Sequence, residues 1–259
     1  MSKSVVVAMK YYSARVCLLI TSIWAFACTE PAQPLPKAKV GAFDPVAYAD
    51  VRLKEARKKF QAAVIPDDTA WQLGAACFHR AEFAKDNVER AKLAQEGIDA
   101  CRKLVAAQPK NPGGYYYLGM NNGQMSHVKR FSALGLVKDM EQAFTTVNDL
   151  NATFSHAGAD RNLGLLYFRA PSIISVGDNS KARVHLERAT KLAPDYPANR
   201  LNLLEAYIKW KDAAGIAAQR TALRELLPKA REKFSGDDWA ADWLEWDKRW
   251  RELQDSAGN

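Results

Sequence analysis

The groups able to do chemistry in this 259-residue chain are scattered. His79, His127, His156 and His185 are isolated in sequence, which suits surface or hydrogen-bonded imidazoles better than a catalytic base or a metal ligand. There is no glycine-rich phosphate loop, no His-Glu-x-x-His, no Cys-x-x-Cys and no Gly-x-Ser-x-Gly. The expectation is a protein that is not an enzyme and holds no cofactor or metal. Cys28 stands where an exported bacterial protein can carry lipid. Cys77 and Cys101 are an even pair that permits a disulfide, two small buried thiols being the alternative. Trp239, Trp243, Trp246 and Trp250 are spaced 4, 3 and 4, forming one stripe of a helix after an Asp237/Asp238 N-cap. That stripe would either pack on the body as a capping helix or form a homo-oligomer interface, since exposed tryptophans concentrate at binding surfaces. Asp237, Asp238, Asp242, Glu245 and Asp247 would repel phosphate, so nucleic acid is not an expected partner.

Around these groups the chain is 48% hydrophobic and 25% charged, as in a folded domain. After residue 27 no stretch has the roughly 18 uninterrupted apolar residues of a membrane span. Lys3, Lys10 and Arg15 precede an apolar run at 16–27, long enough for export machinery and too short for a bilayer core of about 30 Å. Residues 1–27 read as a signal peptide. Without those three basic residues the formal +8 falls to +5, with 34 Lys+Arg against 29 Asp+Glu. Ala25-Phe26-Ala27 meets the small-x-small rule and Cys28 follows, so ordinary cleavage and lipoprotein processing cut at one bond, a retained anchor being the third reading. Pro31, Pro34 and Pro36 make residues 28–41 a stiff tether. The expected location is periplasmic and membrane-anchored through lipid, or alternatively secreted or soluble in the periplasm, with residues 42–259 as the folded domain.

Positioning falls to internal repeats. Leu73-Gly74, Leu118-Gly119 and Leu163-Gly164 recur every 45 residues, and Leu203-Leu204 follows 40 later. Two units close with a second helix ahead of Pro109 and Pro194. Asp44 and Pro45 start a further helix with Leu53, Ala56, Phe60 and Val64 on one face. Leu136, Met140, Ala143, Val147, Leu150 and Phe154 make 135–154 the second helix of unit two. The predicted fold is all-α, a helical-hairpin solenoid with degenerate, enlarged repeats and capping helices. Cys77 and Cys101 then sit on the two helices of the first hairpin.

The pattern resembles the tetratricopeptide repeat, most fully in unit three, where Leu163, Gly164 and Tyr167 match the first helix and Ala182, Leu186, Ala189 and Pro194 the second. That resemblance implies a ligand-facing set at fixed offsets from each first-helix leucine: Trp71, Phe78 and His79; Tyr116, Met120 and Gln124; Arg161, Phe168 and Arg169; Glu205 and Lys209. Arg161 and Arg169, eight residues apart on one face, would bind an anion while the aromatic rings cover an apolar tail. Residues 163–211 and the Tyr-Tyr-Tyr-Leu-Gly region at 115–119 also resemble the T-component lipoproteins associated with TRAP transporters. The implied role is binding a small amphipathic or organic-acid ligand beside transporter components. The competing role is a scaffold holding a partner protein in the groove during cell-envelope assembly.

Overall fold

The computed structural model describes residues 43–129, 133–172 and 175–256, which form ten α-helices: α1 Pro45–Ala62, α2 Asp68–Glu82, α3 Asn87–Ala107, α4 Pro112–Val128, α5 Ala133–Asn151, α6 Phe154–Arg169, α7 Asn179–Leu192, α8 Pro197–Trp210, α9 Ala213–Lys233 and α10 Ala240–Gln254. The expected signal peptide, Cys28 and the tether lie outside the described residues. Short polar side chains start most of the helices. Asp44 accepts from the amides of Val46 and Ala47, and Asp67, Asp86, Asn111, Asp178 and Asp212 do the same for α2, α3, α4, α7 and α9. Helices α3 and α7 end two residues before Pro109 and Pro194, so the chain turns where the prolines forbid another helical turn.

The helices pair as four hairpins, α2/α3, α4/α5, α6/α7 and α8/α9, with α1 covering the first and α10 packed on α8. The Leu-Gly pairs explain the pairing. In each of the first three hairpins a first-helix glycine faces a larger second-helix side chain: Gly74 meets Cys101, Gly119 meets Phe144 and Gly164 meets Leu186. A methyl group on Gly164 would lie 2.6 Å from Leu186 Cγ, so only hydrogen lets these helices approach so closely. Hairpin four lacks that glycine and moves the small residue to the second helix, where Gly215 faces the Tyr207 ring. One apolar core runs through α6 to α10, a second joins α4 to α7, a smaller one lies between α1 and hairpin one, and another joins α3 to α4.

Four expectations are corrected. Helix α1 ends at Ala62, so Val64 is 98% exposed and does not share the buried face of Leu53 and Ala56. The second helix of unit two covers Ala133–Asn151, and Phe154 opens α6. Cys77 and Cys101 are buried free thiols: Cys101 turns its sulfur into the Gly74 notch, while Cys77 packs with Leu53, Ala56 and Leu93. Burial pushes the Cys101 thiol up to about 12 and the Cys77 thiol higher still. Finally, Trp243, Trp246 and Trp250 are buried in the core of α8, α9 and α10, with Trp239 packed against them, so of the two readings of the stripe the capping helix holds and the homo-oligomer interface does not. Its N-cap also differs: Asp237–Trp239 is a 3₁₀ turn, and Trp239 caps α10 without a side-chain bond.

The enclosed contact between α6 and α7 sets a prediction. Ala189 is 0% exposed, so Ala189→Leu must displace its neighbours and should lower stability by about 1 to 3 kcal/mol in urea unfolding. Replacing Val184, which is 62% exposed on the same helix, with Leu should leave stability unchanged to within about 0.5 kcal/mol.

Candidate binding site on the inner face

The first helices of successive hairpins pack side by side, α2 on α4, α4 on α6 and α6 on α8, and α10 extends the row. Elements flanking the two ends of this row touch at the surface. Tyr48 on α1 donates its hydroxyl to Asp238 in the 3₁₀ turn, and Arg52 lies 4.0 Å from the same carboxylate. Residues 190 apart in sequence thus join the first helix to the approach of the last.

Along the row the aromatic residues touch. Trp71 stacks on Tyr117, centroids 5.7 Å apart and planes at 4°, and meets the edge of Phe154 at 6.0 Å. Tyr116 contacts Tyr117, Phe144 and Phe154. On the far side His156 stacks on Tyr196 at 4.5 Å, and both rings meet Phe234 and Trp239. Arg161 joins the two groups. Its guanidinium donates to the Tyr116 hydroxyl at 3.1 Å, to Asn199 Oδ1 at 3.1 Å and to the carbonyls of His156 and Ser155 at 3.0 and 3.3 Å. It also lies 4.9 Å from the centre of the Tyr196 ring. Every acceptor is neutral.

The carbonyls it holds belong to an unusual turn. Ser155, His156 and Ala157 have φ of 50°, 56° and 57°, a left-handed turn of three residues with side chains. Each such residue costs about 1 to 2 kcal/mol. Asn199 helps to hold the turn by donating to His156 O at 3.1 Å, and Asn162 donates to Gly158 O at 2.8 Å and to the Tyr116 hydroxyl at 3.2 Å. No glycine marks this turn in the sequence, and its signal lies only in the tertiary partners.

The expected ligand set divides. Trp71, Tyr116 and Arg161 come together as described. Arg169 does not join Arg161: it pairs with Glu205 at 3.1 Å, and Arg249 of α10 closes on the same carboxylate at 2.7 Å. Burial pushes Glu205 up, but the two guanidinium groups outweigh that and hold it below its usual range. Phe168 turns its ring to Trp210 at 5.6 Å, and Lys209 is exposed. Phe78 is buried against His79, Met120 is half-buried at the α4 to α7 core, and Gln124 is buried with Oε1 unpaired. Of the nearby acids, Asp178 caps α7, whereas Asp160 is fully buried, accepting from His185 at 2.7 Å and Asn148 at 3.2 Å.

His79, Glu82, Asp242 and Arg161 interact electrostatically across the row. Desolvation disfavours charge on His79, although its ring is more than half exposed, and Glu82 and Asp242 more than restore it, leaving the imidazole above its ordinary value. Burial pushes Asp242 up to about 6, Glu82 adds to the rise, and His79 and Arg161 oppose it. Among the described residues no group of His, Cys, Asp and Glu could hold a metal, and no helix is long and apolar enough to cross a membrane.

The half-buried Asp242 and the left-handed turn each give a measurable expectation. Asp242 titrates near 6 when folded and near 3.8 when unfolded, so its contribution is fully present below about pH 4 and lost as pH rises through about 6. Asp242→Asn should therefore melt with the wild type at about pH 4 and above it at about pH 8. Ser155→Gly should raise stability by about 1 kcal/mol, because glycine has no side chain to clash at positive φ, whereas in a right-handed helix the same change would lower it by a similar amount. Thermal melts distinguish the signs.

No protein-family model and no curated protein matches the chain. Among solved structures, the fold is similar to that of a thermophilic tetratricopeptide-repeat (TPR) protein of Thermus thermophilus, with a TM-score of 0.46 and 17% sequence identity, covering 78% of this chain and 98% of that one.

Proposed function

We propose that this chain is a non-catalytic binding module that takes a small amphipathic organic ion on its inner face. In this reading it is exported by residues 1–27, held at the periplasmic membrane by lipid on Cys28 and the 28–41 tether, and serves a TRAP-type organic-acid transport system as an accessory protein. One observation carries the ligand part: the contact of Tyr48 and Arg52 with Asp238 ties together the elements that flank the two ends of the helical row. A closed row suits a small guest, whereas a partner protein needs an open groove. The aromatic line from Trp71 to Trp239 supplies apolar walls, and Arg161 and Arg249 supply positive charge for an anionic head. A second reading, a protein-interaction scaffold for envelope assembly, is favoured by the helical-hairpin architecture itself, because stacked hairpins present extended binding surfaces.

Calorimetry against C4 dicarboxylates and medium-chain fatty acids tests the first reading. Wild type should bind at least one of these, and Arg249→Gln should weaken the binding by about tenfold, the loss of one charge-assisted contact. Absence of heat with every organic anion would remove the small-ligand reading and leave the scaffold.

A further inference from the structure

The loop between α1 and α2 carries Val64, the most exposed large apolar side chain among the described residues, with Ile65 beside it. Val64 is 98% and Ile65 68% exposed, and Pro66 follows. The loop is held in place from behind, because Gln108 at the end of α3 donates to Pro66 O at 2.9 Å. Its surroundings are basic. Lys58 and Lys59 lie exposed toward the end of α1, Lys103 on the last turns of α3 and Lys110 just beyond it. The Lys103 ammonium sits 5.9 Å above the Phe60 ring, in a cleft of about 520 Å³ between α1 and α3 that Lys92 also lines.

Of the acids at this end only Glu96 is neutralised, by two guanidinium bonds from Arg57 at 2.7 and 2.6 Å. Asp99, Asp67 and Asp68 accept from the neutral donors Gln95, Thr69, Trp71 and Asn111 and keep their charge. The exposed Lys58, Lys59, Lys92, Lys103 and Lys110 outnumber these three carboxylates, so the charge presented outward is net positive. We propose that this end of the first hairpin docks on an anionic bilayer, with Val64 and Ile65 entering the acyl boundary and Lys58, Lys59, Lys103 and Lys110 facing lipid phosphates. The occupant follows from size as well as charge. A specific protein interface covers about 800 Å² on each partner, far more than a two-residue tip offers, whereas a bilayer rewards each inserted side chain separately.

The test reads the loop itself, so attachment of the chain by any other segment does not confuse it. The full chain is floated with vesicles of pure phosphatidylcholine or of phosphatidylcholine with about 30% phosphatidylglycerol, and amide hydrogen exchange is followed at residues 62–67. On the anionic vesicles exchange should slow about fivefold relative to the neutral ones, and the Val64→Ser/Ile65→Ser variant should lose the difference. Lys58→Glu/Lys59→Glu, which leaves the tip apolar, should lose it as well. Equal exchange on both vesicle types, or slowing that survives either variant, would overturn the proposal. So would slowing in concentrated chain without vesicles, which would assign the tip to a second copy.

Discussion

The structure turns on a buried cation whose hydrogen-bond partners are all neutral. Arg161 is 9% exposed, and a guanidinium in that position must find acceptors for its donors or bear the full cost of desolvation. It finds them in three places: the Tyr116 hydroxyl of hairpin two, Asn199 of hairpin four, and the Ser155 and His156 carbonyls of its own hairpin. Those carbonyls point at it only because the backbone at the start of α6 turns left-handed, against the preference of residues with side chains. The turn and the arginine thus require each other, since without Arg161 the turn has lost its main restraint and without the turn the cation lacks two acceptors. Because Tyr116 and Asn199 lie on either side, the same requirement fixes how three successive hairpins are set against one another.

The inner face inherits its form from that arrangement. The left-handed turn aims the His156 ring at Tyr196, and through them the aromatic contacts pass to Phe234 and Trp239, which lead into the last helix. That helix packs through Trp243, Trp246 and Trp250, and the turn ahead of it presents Asp238 to α1. Charges on the face are largely balanced inside it, with Glu205 shared by two arginines and Asp242 set against His79.

What was legible in the sequence was whatever depends on near neighbours. Leucine-glycine pairs at a 45-residue spacing, Asp44 before Pro45 and the prolines at 109 and 194 each act through the turn that contains them, and each lies where the pattern placed it. The site was less legible because side-chain partners are chosen across hairpins. Arg161 and Arg169 share a helix and an eight-residue spacing, yet one bonds to residues 38 and 45 positions away and the other to Glu205, 36 away. Tryptophan spacing fixed a stripe but could not say whether the stripe met the chain itself or a second copy. Nothing in Ser155-His156-Ala157 signals positive φ, since the usual glycine or asparagine is absent and the conformation is imposed from outside.

The central claim, that Arg161 binds hairpins two and three into one unit, is most directly measured by a double-mutant cycle between Arg161 and Tyr116. Urea unfolding of Arg161→Met, Tyr116→Phe and the double variant gives the coupling between the guanidinium and the phenol hydroxyl. Coupling of about 1 kcal/mol or more is predicted, because a buried charge-assisted bond is lost in either single variant and cannot be lost twice. Additivity to within about 0.3 kcal/mol would contradict the account, since it would mean that the two side chains stabilise the fold independently.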